Sequence, residues 1–457
     1  MRSKEQQRIE PQEIKSALLV ADYTVVGGGI SGYATAIELA KQSKSVVLIE
    51  PRKKPDDRSL FVRGDVLVLA RNYPADIETS INSWQYEADA SKTHIKFDLP
   101  NPESVDEGYF MVGHDTIITA LKTNFESLGG KIICEGAKGR VKTVLDLPDQ
   151  VVLRLTDGTL LKTGRIVDAT GKDSVVLRNT HDSSEQQIFN EGDPIVMWVF
   201  GKCYSSGWPD SLERTIFTPV STNAGRVSWA APYGDGRFDI VASDYCRLSD
   251  LRKPSHIKTM KKMFANLLDM CKKYDIYPQD TGKAIFGAVR VIPMKSNQSN
   301  NVFAVGEAAG YPSPFMAESI TPALMHAQPT ATMMTSNQSP EQHLNYWKKQ
   351  KPLFPYTLET ALLQRRLTNT EAGRNAPFYA KATARLNEKE QRMLLHNRRL
   401  DAQTLLRRAP QLLLDKSFLF WTMRTGVTFL ELLANGGQLS ESQKEKQLFP
   451  GINYEIE

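Results

Sequence analysis

The chain has 457 residues, 41% of them hydrophobic and 24% charged, and a net charge of +5. This is the composition of a soluble globular protein of about two or three domains; it excludes wholesale disorder and fibrous repeats, and makes nucleic acid an unexpected partner. The four cysteines, Cys134, Cys203, Cys246 and Cys271, form no C-x-x-C pair, so a reduced setting is expected, with neither a disulfide framework nor a metal.

The first stretch, MRSKEQQRIEPQEIKSALLVADY, is interrupted by charge before any run resembles a signal peptide, so a cytoplasmic location is expected. Tyr23–Gly27 then reads as a strand, Ser31–Gln42 as a helix and Ser45–Glu50 as a second strand. The apolar runs VV and VVLI suit a parallel sheet covered on both faces.

Between strand and helix stands Gly27-Gly28-Gly29-Ile30-Ser31-Gly32, a G-x-G-x-x-G. Gly27 permits the tight turn, Gly29 lets backbone approach a pyrophosphate, and Gly32 lets the helix pack on the strand. The helix N-terminus, with Ser31 in its first turn, faces the anion. Glu50 stands where a carboxylate accepts bonds from the adenosine ribose. These residues point to a dinucleotide and do not separate FAD from NAD.

Residues 51–104 read as loops and short helices, a substrate-side excursion. A strand resumes at Tyr109, followed by a helix over His114–Leu128 and a strand over Lys131–Cys134. Val141–Leu147, Val151–Leu155 and Thr159–Lys162 form a meander that leads into Arg165–Ala169. From Ile195 to Pro293, runs such as IVMWVF, RTIFTPV and RFDIVAS suggest a mixed sheet, with a helix near 255–274 and a last strand KAIFGAVRVIP. Asn301–Gly306 is another buried strand, and helix is expected from Met316 onward.

The expected fold is α/β. A discontinuous Rossmann-type dinucleotide domain takes residues 20–60, 105–180 and 295–340. A mixed-sheet substrate domain takes 61–104 and 181–294, and a helical region takes 341–457. Residues 341–416 carry fifteen Lys or Arg against seven Asp or Glu, a surface suited to an acidic carrier protein or an anionic membrane. The apolar stretch Phe418–Ala434 is broken by Arg424 and Glu431 and is too short to span a bilayer, so any membrane association is expected to be peripheral.

Two later motifs narrow the cofactor. Asp168-Ala169-Thr170-Gly171 closes the run RIVDATGKDS and resembles the Ala-Thr-Gly segment of flavoproteins in the p-hydroxybenzoate hydroxylase-like group. Asn301–Gly310, NVFAVGEAAG, followed by YPSPFMAESI, resembles the second FAD fingerprint of that group. The resemblance implies FAD. Gly306 ends the strand, and Glu307 binds ribitol or ribose hydroxyls. Ala308 and Ala309 leave room for the pyrophosphate, and Pro314 and Met316 lie at the flavin, with a helix dipole aimed at the pyrimidine.

The pattern GEAAG-x-x-SP-x-x-x-E-x-I is most similar to geranylgeranyl reductases and, more distantly, lycopene cyclases. Two departures are visible: most relatives have Asp at the position of Glu307, and many have Gly-Glu-Gly-Ile where this chain reads Ala317-Glu318-Ser319-Ile320. Glu318 is the candidate acid. Trp229, in Trp229-Ala230-Ala231-Pro232, is expected to face the flavin or the substrate, or to fill core.

The resemblance implies reduction or dehydrogenation of a hydrophobic, isoprenoid-like molecule by hydride transfer at flavin N5. No second G-x-G-x-x-G follows a strand, so electrons are expected from NAD(P)H or another external donor. The alternatives are a monooxygenase or halogenase of a small aromatic substrate, and a non-catalytic FAD-binding redox partner. Against the halogenase, no Lys stands between Ser59 and Ser91.

Overall fold

The computed structural model describes residues 9, 19–42, 45–52, 58–64, 79–88, 93–98, 108–133, 139–180, 195–219, 228–233, 236–279, 282, 284–290, 294, 296–312 and 319–350. Pro314, Met316, Glu318 and the segment Phe418–Ala434 lie outside these residues, as does the basic region beyond residue 350.

The chain opens with β1 (Leu19–Val26), α1 (Ile30–Gln42) and β2 (Val46–Ile49). All four residues of β2 are buried, as two-sided cover of a parallel sheet demands. The strand β7 (Tyr109–Gly113), the helix α2 (His114–Ser127) and the strand β8 (Lys131–Ile133) follow the inserted segment. Then come β9 (Val141–Asp146), β10 (Val151–Leu155) and β11 (Leu160–Asp168). The strand β17 (Val302–Ala304) completes the first sheet, whose order is β8-β2-β1-β11-β10-β9, with β17 beside β11.

The sequence suggests two segments, Thr159–Lys162 and Arg165–Ala169; the structure makes them one strand. The reason is pairing: β10 bonds the first half of β11 and β17 the second half, while β1 runs along its other edge throughout. Thr163 pairs with both Ala21 and Val151, so the strand continues through the expected break.

Helix α1 lies between the sheet, α2 and α5 (Ile320–Thr335). Ala34 and Ala36 on α1, with Ala323, Ala327 and Ala331 on α5, share one core cluster and are small enough to let the two helices approach closely. Helix α5 begins at Ile320, after the sequence-expected start near Met316. Pro322 falls in the first turn, where its missing N–H costs nothing, while Pro329 stands inside the helix.

Helix α6 (Pro340–Gln350) packs on β17 and is tied to α5 by a polar lock. Trp347 Nε1–H donates to His343 Nε2 at 2.6 Å, and Thr330 Oγ1 lies 2.9 Å from the same nitrogen. An indole N–H can only donate, so His343 is neutral with its proton on Nδ1. Burial drives its pKa down to about 3.

The second sheet runs β16-β12-β15-β14-β13-β5-β6. Its strands are β5 (Ser83–Ala88), β6 (Thr93–Asp98), β12 (Ile195–Tyr204), β13 (Thr215–Pro219), β14 (Trp229–Pro232), β15 (Phe238–Arg247) and β16 (Ala284–Arg290). It is mixed, because β13 pairs β5 in parallel among otherwise antiparallel neighbours. Helix α4 (Pro254–Lys272) covers it with a stripe of His256, Met260, Met263, Phe264, Leu267, Met270 and Cys271, the spacing of one helical face. Two short strands, β3 (Ser59–Arg63) and β4 (Thr79–Ser80), flank β7 in a small third sheet.

No helix among the described residues is long and apolar enough to cross a membrane. No cluster of three metal-ligating side chains occurs among them.

Candidate functional site

Register brings the three motifs together. Val26 pairs Ile49 and Asp168, and Asp168 pairs Ala304, so four parallel strands end at one level. Backbone bonds carry that level one residue further: Gly27 N–H to Ile49 O at 2.8 Å, Ala169 N–H to Val26 O at 2.8 Å, Val305 N–H to Asp168 O at 3.0 Å. The residues just past these ends are Gly27–Gly32, Glu50, Ala169–Gly171 and Gly306–Ala309. This is the carboxyl edge of a parallel sheet, where open α/β folds bind ligands.

The turns also touch one another. A Cβ added at Gly27 would collide with Ala169 O, and one at Gly32 with Gly27 O; one at Gly306 would collide with Ser31 Oγ. Gly27 (φ 107°) and Gly306 (φ 58°) lie in the left-handed half of conformational space, where L-residues are strained. Gly29 differs: a Cβ there would meet nothing within 4 Å. It opens onto free space at the helix N-terminus, as a pyrophosphate cradle requires.

Glu50 is buried, and its carboxylate takes four hydrogen bonds. Gly28 N–H donates at 2.7 Å, and Arg52 donates from its amide at 2.7 Å and from Nε and Nη2 at 3.0 Å each. Burial alone would raise its pKa, but the Arg52 and Gly28 bonds outweigh it and hold it below the ordinary carboxylate value.

Glu307 is the opposite case. It is partly buried beside Gly171, whose added Cβ would lie 3.7 Å from Oε2, and no donor among the described residues bonds its carboxylate. Burial raises its pKa, although the charges of Arg58, Lys172 and Arg290 oppose the rise; Asp173 adds to it. Its acceptor sites are free for hydroxyl donors of a ligand.

Asp168, Ala308 and Ala309 are all hidden from solvent. Asp168 does not face the site: it is fully buried, accepting bonds from Thr170 N–H at 3.0 Å, Thr170 Oγ1 at 2.6 Å and Leu177 N–H at 3.0 Å. Burial raises its pKa. It shapes the loop by capping α3 (Val175–Thr180). Ala308 and Ala309 are fully buried as well.

Trp229 is half-buried on β14, packed against the cluster of Ile81, Tyr109, Met111, Ile216 and Ala231 between the second and third sheets. Sequence reasoning missed Arg290. This residue of β16 is 1% exposed and reaches the loop at Lys172–Ser174. Its signal was an arginine inside the apolar run AIFGAVRVIP, since a cation in a buried strand requires a partner.

Comparison with known proteins agrees with this architecture. Residues 25–55 match the family of NAD(P)-binding Rossmann-like domains. No curated protein matches the chain in sequence. Among solved structures it is similar to a geranylgeranyl bacteriochlorophyll reductase-like protein from Thermoplasma acidophilum, at 15% identity, TM-score 0.60, and coverage of 85% of this chain and 95% of the other. It is similar to the flavin-dependent brominase Bmp2, at 14% identity, TM-score 0.58, and coverage of 83% and 93%. It is also similar to PqsL of Pseudomonas aeruginosa, a probable FAD-dependent monooxygenase, at 16% identity, TM-score 0.54, and coverage of 79% and 98%.

Proposed function

We propose that the chain, whose fold is that of FAD-dependent oxidoreductases, holds FAD non-covalently across these turns and oxidises or reduces a hydrophobic small molecule. The observation that carries the reading is the pairing of two openings in a closed strand-end surface: the free space over Gly29 and the unbonded carboxylate of Glu307. A dinucleotide needs a backbone cradle for its pyrophosphate and acceptors for its hydroxyls, and the residues present supply both.

Bound there, FAD would supply the electron-transfer chemistry, with electrons from NAD(P)H or another external donor. The chain's own residues position it. The N-terminus of α1 offers its amides to the pyrophosphate, and Glu307 accepts hydroxyls toward the flavin. Glu50 accepts the adenosine ribose once the Arg52 side chain, 56% exposed, gives way. The half-buried Trp229 and the apolar cluster beneath it provide an oily wall suited to an isoprenoid-like substrate. Glu318 is the proposed proton donor.

The test is to purify the chain, denature it without protease and identify the flavin released. FAD in the supernatant, with anaerobic bleaching by an external donor and reoxidation by an unsaturated hydrophobic substrate, is the expected result. FMN, flavin retained on the precipitate, or no flavin uptake at all would contradict the reading.

A further inference from the structure

Arg290 belongs to the substrate sheet, yet its guanidinium leaves that sheet. Nη2 donates to the Lys172 carbonyl and Nη1 to Ser174 Oγ at 3.3 Å, while Ser174 Oγ donates onward to the Ala308 carbonyl at 3.0 Å. Three segments distant in sequence are thus joined: the end of β16, the single turn Gly171–Asp173 and the single turn Gly306–Ala309.

Ser174 sits at φ 41°, a left-handed conformation that an L-residue keeps only where its surroundings enforce it. Its two side-chain bonds do so. A guanidinium this deeply buried is strongly desolvated, which its bonds and neighbouring charge must offset. The groups acting on Glu307 are Arg58, Lys172, Arg290 and Asp173, so Arg290 supplies part of that balance from the other domain.

We propose that Arg290 is a positioning residue: from the substrate sheet it locks the two turns at the flavin end of the cofactor and brings positive charge to Glu307, coupling that sheet's geometry to FAD affinity. The proposal rests on the FAD reading above.

The full chain and its R290Q, R290K and S174A variants would be titrated with FAD across a range of pH by flavin fluorescence, with apoprotein melting alongside. R290Q is expected to weaken FAD binding roughly ten- to a hundredfold. It also raises the pH below which affinity falls, because only Arg58 and Lys172 then oppose burial and Asp173. R290K restores the pH profile but only part of the affinity, since an ammonium cannot reproduce the planar fork. Should R290Q fail to fold, S174A carries the test, with an expected loss of about several-fold at an unchanged pH profile.

If the wild-type chain binds FAD and R290K and S174A match it in affinity, the clamp is wrong and the cofactor site stands. An unaltered pH profile in a folded R290Q overturns the coupling to Glu307. A wild-type chain that binds no FAD overturns the site itself and the clamp with it.

Discussion

Glu50 and Glu307 stand past the ends of β2 and β17 in the same sheet, with β1 and β11 between them, and the protein treats them in opposite ways. Glu50 is saturated by its own chain, through Gly28 and Arg52, and its pKa is lowered despite burial. Glu307 has cations acting on it but no bonded donor among the described residues, and its pKa is raised. The carboxylate that is easiest to read in the sequence is therefore structural in the free protein, and the less typical one is open to a ligand. Unfilled acceptors, and not spacing alone, are what leave a strand-end acid able to take a donor.

The largest expected effect concerns the turn that carries both acids' framework. Gly32→Ala drives a methyl into Gly27 O, and Gly27→Ala meets Ala169 O at a positive φ. Each is expected to cost about 3 kcal/mol or more, at the upper end of overpacking, measured by chemical denaturation of the apoprotein. Wild-type stability in Gly32→Ala would break the account of how the turns interlock.

Next come the acids themselves. Glu307→Ala is expected to weaken FAD binding by about 1.5–3 kcal/mol, the worth of a charge-assisted hydrogen bond, and to shift the flavin absorption spectrum. Glu50→Ala is expected to weaken FAD binding less and to destabilise the apoprotein by about 1–3 kcal/mol, because the buried Gly28 N–H loses its acceptor. Equal effects of the two substitutions on apoprotein stability would erase the contrast.

The comparison predicts opposite signs in pH dependence. The lowered pKa of Glu50 gives stability that is present above its unfolded value and lost as pH falls through the folded value. The raised pKa of Glu307 means that the folded chain binds the proton more tightly, so stability falls as pH rises from the unfolded to the folded value. At neutral pH, Glu307→Gln should therefore raise the melting temperature of the apoprotein and Glu50→Gln should lower it. His343, on α6, provides a control: neutral in the fold, it costs stability as pH falls below its ordinary value of 6.5. Linkage sets this loss at about 1.4 kcal/mol one pH unit lower, and His343→Gln should flatten it.

The β-α-β unit and its glycine turn were legible because local rules govern them: an apolar strand, a glycine-rich turn, and a helix of small and apolar residues. The meeting of the three motifs was legible only in outline, since register depends on pairing between Val26, Asp168 and Ala304, which no local pattern encodes. The inward turn of Asp168 could not be read. Its partners, Thr170 and Leu177, are close in sequence, but whether a carboxylate points in or out is decided by the loop as a whole. Arg290 was invisible for a related reason: its bonds span 116 and 118 residues.

The most direct test of the account is an FAD titration of Gly29→Val against the wild-type chain. Gly29 is the one position of its motif where, in the free protein, an added Cβ has open space, so the variant should fold and melt like wild type. The account predicts that wild type binds FAD and that Gly29→Val does not, because the added side chain stands where the pyrophosphate must lie. Undiminished FAD binding by Gly29→Val would contradict it.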